Sequence, residues 1–500
     1  MTTPTVEAAS GRVHITAEAL RRRTALLADD AMEGRGTDTP GGRRAVQAIE
    51  ADLRAHGIAP AGDDGSYLQA VPLTGSRVDA LSLQIDGLGA PLRWQHGRDV
   101  QLGTEAPSGT HAWRGPMVFA GYGVTAPEYD WDDYANLDVR GALVLVLVGD
   151  PPVPGRFEDD ALTYYGRWTY KLERARALGA AGVLIVHDER AAGYDWAVVQ
   201  TSFGGERFTA DDAEGPLMLR GWIAREAAAA LARRHGSTLD HWRVRARLGD
   251  GLRLRSTASA TVTATRRELR EHNVVGRIGT GRAPAIAITA HWDHLGRRGD
   301  AIFNGALDNA SGVAALLTLA EALQAEHERA PFPGTLYVVA TAAEEQGLWG
   351  SRRFVAAPPA PLNTFIAAVN FDGMNVGPTT NVVELVGAGR STLDDVFASA
   401  LAQQGRRAVP DRGPSTGAAF RSDQFVFAGH DIPTLYAQPS IVDSLDPRLR
   451  DRARRYHTPE DVYEPAWSFE GAVADLQATF DVVQTVARGE VRPRLHPAKP

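Results

Sequence analysis

Three apolar runs in the C-terminal half of the chain are each followed, within a few positions, by ionisable side chains. The runs cover residues 285–288, 335–340 and 365–369, and a pattern typical of an amphipathic helix spans residues 311–324 between the first two. Strands that alternate with helices in this way form a mainly parallel sheet covered by helices. We therefore predict an α/β fold in which neighbouring strands present side chains at their carboxyl ends to one crevice.

Seven ionisable residues stand out on these strand ends or in the segments that follow them: His291, Asp293, Asp308, Glu344, Glu345, Asp372 and His457. The His-x-Asp triplet at residues 291–293 is a weak signal by itself, and its value comes from the residues downstream. Two histidines with several carboxylates are the inventory of a two-metal hydrolytic site, for which Zn²⁺ is the first choice and Mn²⁺ or Co²⁺ are alternatives. In the adjacent pair Glu344 and Glu345, one side chain can bind metal and the other can carry a proton, provided that the backbone turns at the strand end.

Composition limits both the metal ligands and the partners. The chain has no cysteine, so any metal must be held by histidine and carboxylate, and no disulfide can form. The formal net charge of -8 argues against a nucleic-acid partner, which would need a basic surface. No uninterrupted apolar run is long enough to cross a bilayer, so we predict no membrane span.

The N-terminus lacks the pattern of a secretion signal. Residues 1–7 do not combine a basic start with a following apolar stretch, so no signal peptide is predicted in this sequence. The compartment therefore stays open between the cytoplasm and, if a leader has been removed, the periplasm or the cell exterior.

The 500 residues of the chain favour two or three domains. The predicted secondary structure differs between successive segments of the sequence. Residues 13–71 are helix-rich and are predicted to form the N-terminal part of a main domain. Residues 72–265 alternate short strands with Gly/Pro turns and are predicted to be an inserted β-rich unit, after which residues 266–490 complete the main domain. Residues 491–500 are predicted to be a loose tail.

The motifs around the ionisable residues resemble those of the M28 family of zinc peptidases, specifically bacterial members that carry an inserted protease-associated domain. The resemblance extends over nearly the whole chain and rests on five stretches: residues 27–35, 290–296, 307–312, 341–347 and 456–461. It implies a zinc-peptidase-like α/β fold with a protease-associated domain at residues 72–265. The expected role of that domain is to cover the mouth of the active site and limit substrate size.

The same resemblance implies two Zn²⁺ ions per chain. His291 and Asp372 would hold one ion, and Glu345 and His457 would hold the other. Asp308 would bridge the two ions. The family pattern is intact at each of these positions.

For the remaining two residues, the resemblance implies roles in catalysis. Glu344 would be the general base, and Asp293 would orient His291 through the second nitrogen of its ring. The expected function is hydrolysis of N-terminal residues from peptide substrates, through a hydroxide that bridges the metals.

Two alternatives stay open at this point. A glutamate-carboxypeptidase-like dizinc peptidase would share the metal ligands and the insert, and would need a basic pocket for which Arg412 and Arg421 are candidates. A receptor-like binding protein of the same fold would do no chemistry, but such proteins lose metal ligands and this chain has lost none.

Three further residues lie near the motifs. His294 is predicted to be a loop residue that hydrogen-bonds locally. Asp423 is a candidate to support the site or to bind a substrate amine, and Tyr456 is predicted either to face the oxyanion or to pack against its neighbours.

Overall fold

The computed structural model describes residues 11–157, 161–210, 215–440 and 452–496. Residues 1–7, in which no signal peptide is predicted, lie outside these ranges. The described residues form two compact units. Unit 1 comprises the described residues of Met1–Val71, Arg270–Arg412 and Arg421–Pro500, and unit 2 comprises those of Pro72–Leu269 and Gly413–Phe420.

In chain order, the strands are β1 Ala59–Pro60, β2 Leu68–Asp86, β3 Leu92–Trp94, β4 Val100–Gly103, β5 Gly109–Phe119, β6 Thr125–Ala126, β7 Trp131–Asp132, β8 Leu143–Leu147, β9 Gly182–Val186, β10 Arg207–Thr209, β11 Leu219–Ile223, β12 Leu252–Ile278, β13 Ala285–His291, β14 Gly296–Arg298, β15 Ala301–Phe303, β16 Thr335–Thr341, β17 Phe365–Asn370, β18 Val382–Leu385, β19 Arg407–Pro410 and β20 Thr434–Pro439. The α-helices are α1 Ala17–Leu27, α2 Pro40–Ala55, α3 Trp168–Ala177, α4 Glu189–Ala192, α5 Trp196–Ser202, α6 Arg225–Arg234, α7 Leu239–Ala246, α8 Ser311–Arg329, α9 Trp349–Ala356, α10 Leu393–Gln403, α11 Gln424–Ala428, α12 Arg452–Arg455 and α13 Glu470–Ala487.

Unit 1 is built on a sheet with the strand order β19-β18-β20-β17-β13-β16, to which the C-terminal part of β12 adds at the β16 edge. The four strands β20, β17, β13 and β16 are parallel to one another, whereas β18 and β12 pair antiparallel with β20 and β16. The residues of β13 and β16 are all buried, because a parallel sheet is covered on both faces. The predicted α/β class, with a mainly parallel sheet flanked by helices, is confirmed.

Helix α8 is the central helix of unit 1. It begins at Ser311, as predicted, and continues five residues beyond the predicted end at residue 324, to Arg329. Together with the preceding turn, the stretch Ala306–Arg329 is long and apolar enough to cross a membrane, although the sequence predicted no such span. Because 89% of its apolar window is buried inside the fold, this stretch has the properties of a core helix.

Unit 2 has its own sheet and its own apolar core. The strand order is β12-β5-β8-β9-β11-β4, in which β5, β8, β9 and β11 are parallel. Alternate residues of β8 and β9 point into two separate hydrophobic clusters, one on each face of this sheet. The predicted insert covered residues 72–265 and did not include residues 413–420. Its assignment to the protease-associated type stays a prediction.

The predicted loose tail stays a prediction, and its described part makes two backbone hydrogen bonds to the main domain. The backbone N–H of His496 donates to the carbonyl of Arg390, and the N–H of Thr392 donates to the carbonyl of Arg494, both at 2.9 Å. These hydrogen bonds tie the stretch to the start of α10, which the composition of the tail could not reveal. Residues 497–500 of the predicted tail lie outside the described residues.

A buried carboxyl group in β12 should make the stability of the protein depend on pH. Burial raises the pKa of Glu271 from about 4.5 to about 7, against the opposing effect of hydrogen bonds from the backbone N–H groups of Asp38 and His272. Between these pH values the folded chain binds more protons than the unfolded chain. The stabilising contribution of Glu271 is therefore complete below pH 4.5 and is lost as the pH rises through 7, a change of about 3 kcal/mol in the free energy of unfolding.

Urea denaturation at pH 4.5 and pH 8 measures this effect. The variant Glu271→Gln should lose this share of the pH dependence, whereas the exposed neighbour Glu268 can be changed to glutamine without effect. Equal pH dependence in wild type and Glu271→Gln would show that the carboxyl of Glu271 does not titrate as described.

Candidate metal centre

Three parallel strands of unit 1 deliver most of the predicted site residues. Strand β13 ends at His291, β16 ends shortly before Glu344, and β17 ends shortly before Asp372. Since β13 lies between β16 and β17 in parallel register, the carboxyl ends of the three strands meet at one edge of the sheet. The strand order therefore brings these side chains together, as the alternating sequence pattern predicted.

Two further predicted residues reach the same place from loops. Asp308 lies in the turn Ala306–Ala310 that leads into α8, and His457 follows α12 with a φ of 56°. The carboxylate of Asp461 connects the two loops, because it accepts hydrogen bonds from the backbone N–H of Leu307 at 2.9 Å and of Asp308 at 3.0 Å. This contact, across more than 150 residues of sequence, fixes the turn that carries Asp308.

The side-chain donors form two groups that share one carboxylate, with the ligand atoms of each group within 4.8 Å of one another: His291, Asp308 and Asp372 in the first, and His294, Asp308, Glu345 and His457 in the second. Asp308 turns Oδ1 towards Nε2 of His291 at 3.4 Å and Oδ2 towards Nε2 of His457 at 3.3 Å. A single carboxylate therefore faces both groups, with a different oxygen for each.

The spacing of the donors fits ions of the size of zinc. Two atoms bound at about 2.1 Å to one tetrahedral ion lie about 3.4 Å apart. Nε2 of His291 lies 3.4 Å from Oδ1 of Asp372, and Nε2 of His457 lies 3.1 Å from Oε2 of Glu345. The carboxylates here are at most 18% exposed, and buried negative charges require cations close by. The donor set therefore suits two cations that share Asp308.

The two adjacent glutamates have opposite electrostatic properties. The chain turns at Ala343, whose φ is 52°, so the condition for separating the two side chains is met. Burial raises the pKa of Glu344 well above its ordinary range, and this residue belongs to neither donor group. Burial acts on Glu345 in the same direction, but His457 and His294 outweigh it and hold its pKa well below the ordinary range. Burial and the neighbouring histidines therefore favour opposite protonation states in the two carboxyl groups.

The carboxylate of Asp293 makes contacts other than the predicted one to His291. Nδ1 of His291 donates to the main-chain carbonyl of Asp293 at 3.1 Å, whereas Oδ1 of Asp293 is 4.0 Å away. The carboxylate instead accepts hydrogen bonds from the backbone N–H of Glu344 at 3.0 Å and of Glu345 at 3.4 Å. Burial raises the pKa of Asp293 to about 7. Asp293 therefore holds the turn that carries both glutamates, and only its backbone orients His291.

The two further candidates Asp423 and Tyr456 contact residues at or next to the centre. The ring of Tyr456 stacks on that of His457 with 3.8 Å between centroids. This contact fits the second of the two roles suggested for Tyr456, packing against its neighbours. Asp423 is fully buried and accepts a hydrogen bond from Oγ1 of Thr341 at the end of β16. Its carboxylate therefore supports the end of β16.

Sequence reasoning missed two residues that hold this centre. His294 donates from Nδ1 to Oε1 of Glu345 at 2.8 Å, although it was expected to make only local contacts. Arg35 is fully buried, and its guanidinium donates to main-chain carbonyls next to the site, including those of Trp292 and Gly305. The spacing His-x-x-His at residues 291–294 is a signal that could have identified His294. Nothing in the local sequence around Arg35 indicates where its side chain points.

Comparison with known families decides the class of the site. Residues 273–480 match the family model described as peptidase family M28, and all of the predicted site residues lie within this stretch. This stretch of the chain is therefore similar to peptidases of family M28. The chain is a metallopeptidase, a hydrolase that acts on peptides. None of the curated proteins compared with the chain matches it.

Solved structures of two aminopeptidases are similar to the chain in fold. An aminopeptidase from Aneurinibacillus sp. strain AM-1 is similar with a TM-score of 0.55 at 20% identity, over 98% of this chain and 97% of that chain. A zinc aminopeptidase from Bacillus subtilis is similar with a TM-score of 0.50 at 18% identity, over 96% of each chain. At these identities the likeness concerns the fold.

Proposed function

We propose that this metallopeptidase is a dinuclear zinc aminopeptidase, which removes N-terminal residues from peptides. The observation that carries the proposal is the position of Asp308, whose two oxygens face His291 on one side and His457 on the other. A carboxylate placed in this way can bridge two ions about 3.5–4 Å apart. The aminopeptidases of similar fold support the choice of an N-terminal substrate.

In this proposal, each ion would have its own ligands and both would share Asp308. His291 and Asp372 would hold the first ion, and Glu345 and His457 would hold the second. When bound, such ions act as Lewis acids that make water nucleophilic near neutral pH and polarise the peptide carbonyl.

The protein side chains provide proton transfer and positioning. Glu344 accepts the proton that the attacking water loses and donates it to the departing amine, because its raised pKa suits both steps. Asp293 keeps Glu344 in place by accepting the hydrogen bond from its backbone N–H. Glu344 lies 4.0 Å from Nε2 of His291, which is close enough to reach a water at the centre.

The requirement for a free amino terminus distinguishes an aminopeptidase from a carboxypeptidase. Aminoacyl anilides and short peptides, each with a free or an acetylated N-terminus, are incubated with the zinc-loaded protein. We expect the free forms to be cleaved and the acetylated forms to react at least about 100-fold more slowly, because acetylation removes the amine that the site would bind. Mass spectrometry of the products identifies the end from which residues are released.

Release of residues from the C-terminus, with equal rates for free and acetylated peptides, would contradict the aminopeptidase and favour the glutamate-carboxypeptidase-like alternative. If no substrate is cleaved while two zinc ions are bound, the binding-protein alternative is favoured.

A further inference from the structure

One histidine outside the predicted ligand set reaches into the centre. Nδ1 of His294 lies 2.8 Å from Oε1 of Glu345, and only 1% of His294 is exposed. Because an ionised carboxylate can only accept a hydrogen bond, Nδ1 carries the proton and donates it. Nε2 of the same ring is buried and has no hydrogen-bond partner among the residues that the structure describes.

The distance between these atoms distinguishes a hydrogen bond from shared binding of an ion. Ligand atoms of one tetrahedral zinc ion lie about 3.4 Å apart, whereas a charge-assisted N–H···O bond is about 2.7–2.9 Å long. Nδ1 of His294 and Oε1 of Glu345 fall in the second range at 2.8 Å. Oε2 of Glu345 faces His457 instead, with 3.1 Å between Oε2 and Nε2. The two oxygens of Glu345 therefore have different partners.

The ring of His294 has little room to turn. Its backbone N–H donates to the carbonyl of Arg35 at 3.2 Å, and its ring meets that of His457 edge-on with 5.6 Å between centroids. Gly305 backs the ring closely, because a Cβ at that position would lie 2.5 Å from Cγ of His294. These contacts orient the donor towards Glu345.

We propose that His294 is a positioning residue that makes Glu345 a one-oxygen metal ligand. This inference rests on the proposed dinuclear function. A glutamate with both oxygens available can bind an ion through both, as in many Ca²⁺ sites. By occupying Oε1, His294 leaves only Oε2 for the ion and fixes its direction. Partners of this kind typically contribute about 10- to 100-fold to metal affinity.

Zinc titration of the metal-free protein, in competition with a fluorescent chelator, tests this role. For His294→Ala we expect one of the two zinc dissociation constants to rise by about 10- to 100-fold while the other keeps its wild-type value. His294→Asn, whose amide places an N–H near the position of Nδ1, should recover the wild-type affinity to within about threefold.

Two more variants complete the design. His56 faces Asp52 and Glu321 away from the centre, and His56→Ala should leave both zinc constants unchanged. If His294→Ala fails to fold, His294→Gln takes its place, because the amide of glutamine lies near Nε2 and leaves the Nδ1 position empty. Circular dichroism checks the fold of each variant.

Equal affinity of His294→Ala and wild type for both ions would overturn the inference. An ion lost in His294→Asn to the same extent as in His294→Ala would also overturn it, because the ring would then be a ligand itself. Wild-type protein that binds fewer than two zinc ions would instead refute the dinuclear function, and this inference with it.

Discussion

Replacing Glu344 with glutamine is expected to lower kcat by about 10²- to 10⁴-fold while the zinc content stays unchanged. Glutamine has nearly the same shape as glutamate but cannot take up and release a proton. Glu344 belongs to neither donor group, so the ions should not depend on its charge. Steady-state kinetics on an unblocked aminoacyl anilide gives kcat and KM, and elemental analysis of the same preparation gives the number of zinc ions per chain.

A matched substitution on the surface shows that the effect is specific. Glu328 is exposed near the end of α8, and Glu328→Gln should retain wild-type kcat. An unchanged kcat in Glu344→Gln would refute the assignment of the general base. Loss of zinc in that variant would identify Glu344 as a ligand, which contradicts the division of roles between the two adjacent glutamates.

Replacing Arg35 with methionine is expected to destabilise the protein by about 3–5 kcal/mol. The guanidinium of Arg35 donates hydrogen bonds to the carbonyls of Leu27, Trp292, Asn304 and Gly305, over distances of 2.6–2.8 Å. Methionine fills a similar volume but donates none of these four hydrogen bonds, and of the four carbonyls that of Gly305 keeps a second donor, the backbone N–H of Ala310. Burial lowers the pKa of Arg35 to about 10, so the side chain is charged at neutral pH.

The same substitution should also weaken metal binding, because Arg35 connects the loops on either side of the centre. The carbonyl of Trp292, which accepts from Arg35, follows His291 directly in the chain, and the carbonyl of Gly305, another acceptor, precedes the turn that carries Asp308. Urea denaturation measures the stability, and the chelator titration measures the zinc affinity. Arg43 is 60% exposed, so Arg43→Met should change the free energy of unfolding by at most about 0.5 kcal/mol. A similarly small change for Arg35→Met would show that its hydrogen bonds contribute little.

Much of the fold and of the candidate site could be predicted because the signals are local. Apolar runs of strand length, separated by a helical pattern, predict a parallel sheet, and a parallel sheet places its carboxyl-terminal loops at one edge. His291, Glu344 and Asp372 are therefore gathered by topology alone. Asp308 and His457 lie on loops, and although the inventory of ionisable residues included them, strand topology does not indicate where they lie.

The roles that could not be predicted depend on which atoms face each other after folding. The sequence places Asp293 next to the site, but only the tertiary structure shows what its groups bind. The carboxylate of Asp293 accepts a hydrogen bond from the backbone N–H of Glu344, and Nδ1 of His291 donates to the main-chain carbonyl of Asp293. In the same way, Asp461 holds the turn of Asp308 from far along the chain. Hydrogen-bond partners in loops are selected by long-range packing, for which a short motif carries no signal.

The sequence by itself determined the class of fold and the chemical types of the donors, because strand periodicity and the absence of cysteine are properties of the chain alone. The tertiary structure alone decided how the donors divide into two groups, that Asp308 faces both, and that His294 and Arg35 support them. The physical reason is distance: these interactions have a range of a few ångströms in space, and the residues that make them lie tens to hundreds of positions apart in sequence.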